Sequence, residues 1–277
     1  MKRTKRILTL LCVVGLVFIL SGCSTSTVTQ NSSGIWDHYI IWSFIQAIVF
    51  LSKIFGNSYG LGIIVFTIII RIILLPLMFY QMKSMRKTTE LQPQLKALQS
   101  KYSTKDMETQ NKLRAEQQKL YAEAGVNPVA GCLPMVIQMP ILIALYQAIL
   151  RSDVLKSGTF LWMKLGDKDP YFVLPILAAI FTFLTSKLSM MSQPEQNGMT
   201  TAMTYGMPIF ILITAISLPS ALSLYWVIGN AFSAGQTLLI SNPFKINRER
   251  EEKKKVEKEK KRAIEKAKRR AYKSKRK

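Results

Sequence analysis

The chain alternates long apolar runs with polar segments of sharply different character. The first full run, Tyr59–Tyr80, is YGLGIIVFTIIIRIILLPLMFY, apolar throughout except for Arg71 near its middle. At ~1.5 Å per residue it reaches about 33 Å, enough for a ~30 Å hydrocarbon core. Four further runs, at 128–150, 171–191, 203–218 and 219–242, complete a predicted set of five transmembrane helices. The fold class expected is therefore all-α, a polytopic membrane protein. The run at 203–218 is short for a full core, which suggests a bilayer thinned locally beside it.

The segments between the runs set the expected topology. Residues 1–22 read as a secretory signal, with Lys2, Arg3, Lys5 and Arg6 ahead of the apolar Ile7–Leu20. Leu20-Ser21-Gly22-Cys23 has the form of a lipobox, which predicts a diacylglycerol thioether (palmitate-type acylation) on Cys23 and an external N-terminus. Residues 23–34 form a Ser/Thr-rich tether. Residues 35–58 carry an apolar helix interrupted by Asp37, His38, Gln46 and Lys53, and a short turn. If that helix spanned, every later segment would reverse and the basic C-terminal tail would lie outside, against the positive-inside rule. It is expected instead to lie in the outer interface with Trp36, Tyr39 and Trp42 at headgroup depth.

Gln81–Asn127 is polar, with nine Lys/Arg and five Asp/Glu, and is expected in the cytoplasm. Leu91, Leu95, Leu98 and Tyr102 fall on one helical face. Leu113, Gln117, Leu120 and Ala124 do the same in a second helix, with Ser103 and Thr104 as candidate caps between them. A cytoplasmic helical hairpin results. Residues 151–170 form an external loop, 192–202 a cytoplasmic turn, and 243–277 a basic cytoplasmic tail.

Composition narrows the chemistry. The 277 residues carry a formal charge of +22, and Lys245–Lys277 alone holds 18 Lys/Arg against 6 Glu. The tail suits anionic lipid headgroups or RNA phosphate equally well. The three cysteines give no disulfide framework. One histidine, His38, lies outside the spans, and no Asp or Glu lies within any of them, so no carboxylate pair or metal-ligand set is available there. Ser186 or Ser189 with Lys187 matches no catalytic motif, and no Walker-type glycine run is present. The expectation is a protein that is not an enzyme and needs no cofactor or metal.

Arg71 is the expensive residue. A guanidinium at mid-bilayer costs about 2.5–3.5 kcal/mol or more and stays charged, its pKa being above about 12. It could be structural, paired with a helix-end carbonyl or a lipid phosphate. Otherwise it faces a hydrated chamber, which Thr67, Gln138, Gln147, Thr182, Thr185, Tyr225, Trp226 and Asn230 could line. Each of these alone is more often a helix-packing hydrogen bonder. Together they make a positively polarised chamber whose anion arrives from outside the protein. Methionines including Met78, Met82 and Met85 gather toward the cytoplasmic span ends, either as core filling or as adaptable contact for varied apolar partners.

Two blocks carry a resemblance. Asn127–Ala148, NPVAGCLPMVIQMPILIALYQA, and Leu218–Lys245, LPSALSLYWVIGNAFSAGQTLLISNPFK, closely resemble the YidC/Oxa/Alb family of membrane protein insertases. The lipobox resembles that of Gram-positive bacterial members. The resemblance implies a five-helix core without a through-pore, whose hydrophilic groove opens to the cytoplasm and the lipid but not outward. The family's groove arginine matches Arg71; Gln138 and Trp226 are carried over with it, and Thr67, Tyr225 and Asn230 complete the expected substrate-binding groove. The implied function is insertion and chaperoning of integral membrane proteins in the bacterial cell membrane. The implied partners are nascent membrane proteins and membrane lipids, with the ribosome (through the tail) and the Sec translocon as further candidates. Two other readings stay open: an anion channel or carrier using Arg71 as its selectivity site, and a ribosome-tethering lipoprotein scaffold.

Overall fold

The computed structural model describes residues 26–104, 106–127, 133–194 and 198–274. The expected signal segment, the expected lipidation site Cys23 and the start of the second apolar run lie outside these residues. The described residues are almost wholly helical. A π-helical turn α1 (Trp36–Ile41) runs into α2 (Trp42–Ile54). Then come α3 (Tyr59–Glu90), α4 (Gln92–Lys101), α5 (Met107–Glu123), α6 (Leu133–Leu150) and α7 (Asp153–Ser157). A two-residue-per-strand hairpin, β1 (Thr159–Phe160) with β2 (Met163–Lys164), is antiparallel. The remaining helices are α8 (Val173–Met191), α9 (Gly198–Ser217), α10 (Ser220–Ile240) and α11 (Pro243–Ser274).

Among the described residues, Tyr59–Lys101, Val173–Met191 and Thr200–Ser217 are long and apolar enough to cross a membrane, and Val136–Leu150 is a shorter apolar helix. The α10 helix is the axis of the bundle. It packs against α8, α3, α6 and α9, and α8 pairs in turn with α9. Ala221, Ser223, Gly229 and Ala234 are among its buried residues, and such small side chains let neighbouring backbones approach closely. Outward-facing side chains are apolar instead: Ile72, Ile73 and Phe79 on α3, and Ile209, Phe210 and Ile213 on α9 are more than half exposed, as a lipid-facing surface requires.

Several boundaries differ from the sequence expectation. The α3 helix passes through Tyr80 without a break and ends at Glu90, because Gln81–Glu90 contains no glycine or proline. The hairpin proper therefore begins at α4. Its second helix is capped by Asp106, whose carboxylate accepts from the Thr109 amide at 2.8 Å; Ser103 and Thr104 are not the N-cap. The α9 helix begins at Gly198 and has 20 residues, about 30 Å long at ~1.5 Å each, so the shortness behind the thinning argument disappears. Thr200 and Thr201, read as loop, sit in its first turn, where polar residues are readily accommodated.

The Asp106 cap makes a pH prediction. The Thr104 hydroxyl and then the Thr109 amide hydrogen-bond the carboxylate and lower its pKa from 3.8 to about 2. A depressed carboxylate pKa means stabilisation that is complete above the unfolded value and lost as pH falls through the folded one. Amide protection at Thr109 and Gln110 is expected to hold above about pH 4 and to fall progressively toward pH 2. Asp106→Ala should remove that pH step, as read by hydrogen exchange.

The α1–α2 segment packs along α3 and α6 with Ile41, Ile45 and Ile48 buried. Gly62 permits this contact, since a Cβ there would lie 2.1 Å from Ser52 Oγ and 2.7 Å from the Ile48 carbonyl oxygen. Trp36, expected to face the headgroups, turns inward instead and donates to Gln147 Oε1 at 3.1 Å.

Candidate functional site

Beside Gln147 lies the most heavily bonded charge among the described residues. Arg151, 4% exposed, grips Asp37 with both terminal nitrogens, at 2.5 and 3.0 Å. Its Nε donates to the Ser26 carbonyl at 2.8 Å, and its own carbonyl accepts from the Val28 amide at 2.9 Å. The tether is thus tied to the start of α1 and the end of α6. The neighbouring loop closes the same end. Leu155, Met163 and Leu165 are buried, and the Asp167 and Leu165 carbonyls accept the Ser220 and Ala221 amides at the start of α10. Asp169 accepts from the Trp162 indole and from the Tyr171 and Leu174 amides, capping α8. Below this cap the bundle is filled by Ile63, Phe66, Leu145, Ile149 and Leu224.

The opposite half of the bundle is hollow. A cavity of about 260 Å³ lies between α3, α8, α10 and the root of α11, with Arg71 in its lining. Its α3 wall is Arg71, Met78, Met82, Met85, Arg86 and Thr89, a single helical face. On α8 it meets Thr185 and Ser189, with Ser192 and Gln193 just beyond its end. On α10 it meets Ser233, Gln236 and Thr237, and Ile246 of α11 completes the rim. The hydroxyls of Thr185, Ser192, Ser233 and Thr237 donate to carbonyls one turn back on their own helices. Their protons are thereby spent, and acceptor lone pairs remain for water or another donor. Gln193 Oε1 has no hydrogen-bond partner among the described residues.

The lining contains two cations and no carboxylate. Arg86, near the rim, is neutralised by Glu90 at 3.2 Å and by Glu249 of α11 at 3.5 Å. Arg71, half-buried, makes no ion pair among the described residues. Its guanidinium lies against α10 where residue 229 is glycine. A glycine inside a helix costs about 1 kcal/mol relative to alanine, so this one calls for a packing reason.

The other expected groove residues are distributed more widely. Gln138 on α6 donates to the Tyr225 hydroxyl, joining α6 to α10 beside Arg71. Tyr225 is 2% exposed. Asn230 donates to Thr182 Oγ1 at 3.0 Å, and its carbonyl accepts from Thr185 at 3.1 Å, so it binds α10 to α8. Trp226 packs against the apolar core. Thr67 is fully buried, its hydroxyl bonded to the Ile63 carbonyl at 2.7 Å, and does not line the cavity. Gln147, one of the residues that could have lined the chamber, belongs to the Arg151 cluster instead. Lys187 reaches over the Tyr205 ring at 5.8 Å, outside the cavity. Sequence reading missed Ser189, Ser192, Ser233, Gln236 and Thr237. Their signal was a three-to-four residue spacing continuous with Thr185 and Asn230, visible only once α8 and α10 are known to face each other.

Known proteins resemble this chain over most of its length. The family model described as 60Kd inner membrane protein matches residues 50–249. This chain belongs to that family. It is 64% identical to Membrane protein insertase YidC of Pediococcus pentosaceus, over 91% of each chain. It is 63% identical to Membrane protein insertase YidC 2 of Lactiplantibacillus plantarum over 92% of each, and 46% identical to Membrane protein insertase MisCA of Bacillus subtilis over 86% of this chain and 92% of that one. Among solved structures it resembles an active YidC insertase resolved with its first transmembrane domain, with a TM-score of 0.57 and 28% identity. That match covers 73% of this chain and 46% of the solved one, so the chain spans about half the length of that protein. Family membership and the apolar helices make this a multi-pass membrane protein of the insertase family.

Proposed function

We propose that this protein inserts integral membrane proteins into the bacterial cell membrane and helps them fold, using the Arg71 cavity as the entry site. The observation that carries the reading is the pairing state of the two lining cations. Arg86 at the rim is held by two carboxylates, whereas Arg71 has an acceptor-rich wall and no counter-charge among the described residues. An acidic residue in the short polar tail of a nascent client supplies that charge transiently. Water in the cavity lowers the desolvation penalty of bringing the tail to mid-membrane depth. Met78, Met82 and Met85 offer adaptable apolar contact to varied client segments. The client's apolar segment then passes into lipid, where burial of about 0.8 kcal/mol per CH₂ drives its release. The basic tail supports electrostatic docking of the ribosome or of anionic lipid, the Sec translocon is a further partner, and a lipid on Cys23 would anchor the N-terminus outside.

The filled outer half of the bundle favours this reading over an anion channel, which needs a continuous path. Cysteines placed at Ser233 and Gln236, in a Cys132→Ser background, test it. A membrane-impermeant maleimide is expected to label both from the cytoplasmic side only. An arrested client with an acidic tail should protect them and crosslink to them. Labelling from the outer side, or no protection by the client, would count against the proposal.

A further inference from the structure

We infer that Gly229 is the positioning residue for the Arg71 guanidinium, an inference that rests on the reading of Arg71 as the client-attracting charge. A Cβ built at position 229 would lie 2.7 Å from Arg71 Nη2 and 3.5 Å from both Cζ and Nε. Three atoms of the planar group thus lie against the bare α10 backbone at this one residue. The other glycines of the α9 and α10 helices, Gly198, Gly206 and Gly235, have nothing within 4 Å of such a Cβ. Glycine is a poor helix former, and Gly229 sits buried in the interior of the helix at the centre of the bundle. The close approach of the guanidinium supplies the reason for it.

The consequence concerns how Arg71 is held. No carboxylate among the described residues pairs with it, so shape sets its position: the stem comes from α3 and the resting surface from α10. A guanidinium seated by packing keeps its N–H groups available, whereas one seated by an internal carboxylate would have spent them. The Ser233 hydroxyl, which lines the cavity, donates to the Gly229 carbonyl at 2.9 Å and so ties this resting surface to the cavity wall. Alanine at 229 would push against the far end of a flexible side chain, not against backbone. It should therefore leave the bundle intact and move the guanidinium.

The test uses the full chain in proteoliposomes, with two clients that differ only in an acidic or a neutral N-terminal tail. Gly229→Ala is expected to slow insertion of the acidic client about tenfold, part of the roughly 10²-fold that a full 1 Å misplacement can cost, and to leave the neutral client unchanged. Gly235→Ala, the same exchange in open space on the same helix, should affect neither. In an Arg71→Lys background, where there is no planar group to displace, Gly229→Ala should cost nothing further. Equal slowing of both clients by Gly229→Ala, or the same loss with and without Arg71→Lys, would make Gly229 a helix-packing residue and overturn the inference. Wild-type insertion by Gly229→Ala while Arg71→Ala fails would overturn it alone. Wild-type insertion of the acidic client by Arg71→Ala would remove the charge reading itself, and this inference with it.

Discussion

Insertion of a client with an acidic N-terminal tail is expected to fall by about 10- to 100-fold in Arg71→Ala. The estimate takes a hydrogen bond to a charged group as about 1.5–3 kcal/mol, at about 1.4 kcal/mol per tenfold. The number is not larger because the cavity is open to water, which screens the pair and lowers the cost of losing it. Arg71→Lys should retain part of the activity, since a positive charge at that depth still attracts an acidic residue, but Lys lacks the seated planar fork that makes a two-pronged contact with a carboxylate. A client whose tail is neutral should insert at the same rate into membranes containing any of the three proteins. The measurement is protease protection of the translocated tail, scored for both clients side by side. Equal protection of the acidic client with Arg71 and with Ala at this position would end the charge-based account. If Arg71→Ala instead abolished a chloride flux into protein-containing liposomes, the channel reading would take its place.

The largest stability effect is expected at the other end of the bundle. Arg151→Ala leaves the Asp37 carboxylate, 18% exposed, without its two-pronged partner, and frees the Ser26 carbonyl. Breaking a buried pair by removing one member costs about 3–5 kcal/mol. For a chain of this size each kcal/mol lowers the melting temperature by about 2–4 °C. A drop on the order of 10 °C should follow in detergent-solubilised protein. Arg151→Lys keeps the charge but loses the fork and should fall between wild type and Ala. Asp37→Asn should also destabilise, because Arg151 then remains buried with its charge uncompensated by Asp37. A change under about 2 °C in Arg151→Ala would mean that the cluster holds the tether without stabilising the bundle. The distance between this cluster and the Arg71 cavity makes the two effects separable. Loss of the clamp should lower insertion of both client types alike, while Arg71→Ala discriminates between them.

These two arginines show how unevenly a sequence discloses its charges. Arg71 stood out at once, because an ionised residue amid apolar neighbours must be accounted for wherever the helix lies. Arg151 did not, because it follows an apolar run at a loop boundary, where a charge is cheap and needs no explanation. Only the folded chain brings Asp37 to it across 114 residues. Gln147 and Trp36 were misjudged for the same reason: each is unremarkable in its own helix, and their pairing depends on α1 and α6 touching. Boundaries failed in a different way. Hydropathy marks where a segment stops being apolar, but a helix stops where its backbone loses propensity or meets a breaker. That is why α3 continues to Glu90 and α9 starts at Gly198.

By itself, the sequence determined the all-helical class, the family, the polar hairpin and basic tail, and the presence of one charge in the middle of a long apolar run. Those follow from local quantities: apolar length, helical period, charge density and two long specific blocks. The tertiary structure decided which polar residues share a space with that charge. Thr67 lies one turn from Arg71 yet spends its hydroxyl inside its own helix, whereas Ser233 and Gln236, far away in sequence, line the same cavity. It also decided that Gly229 is where the guanidinium rests. Helix rotation and the close approach of two backbones are set by packing between helices, and no local pattern in either helix encodes the distance between them.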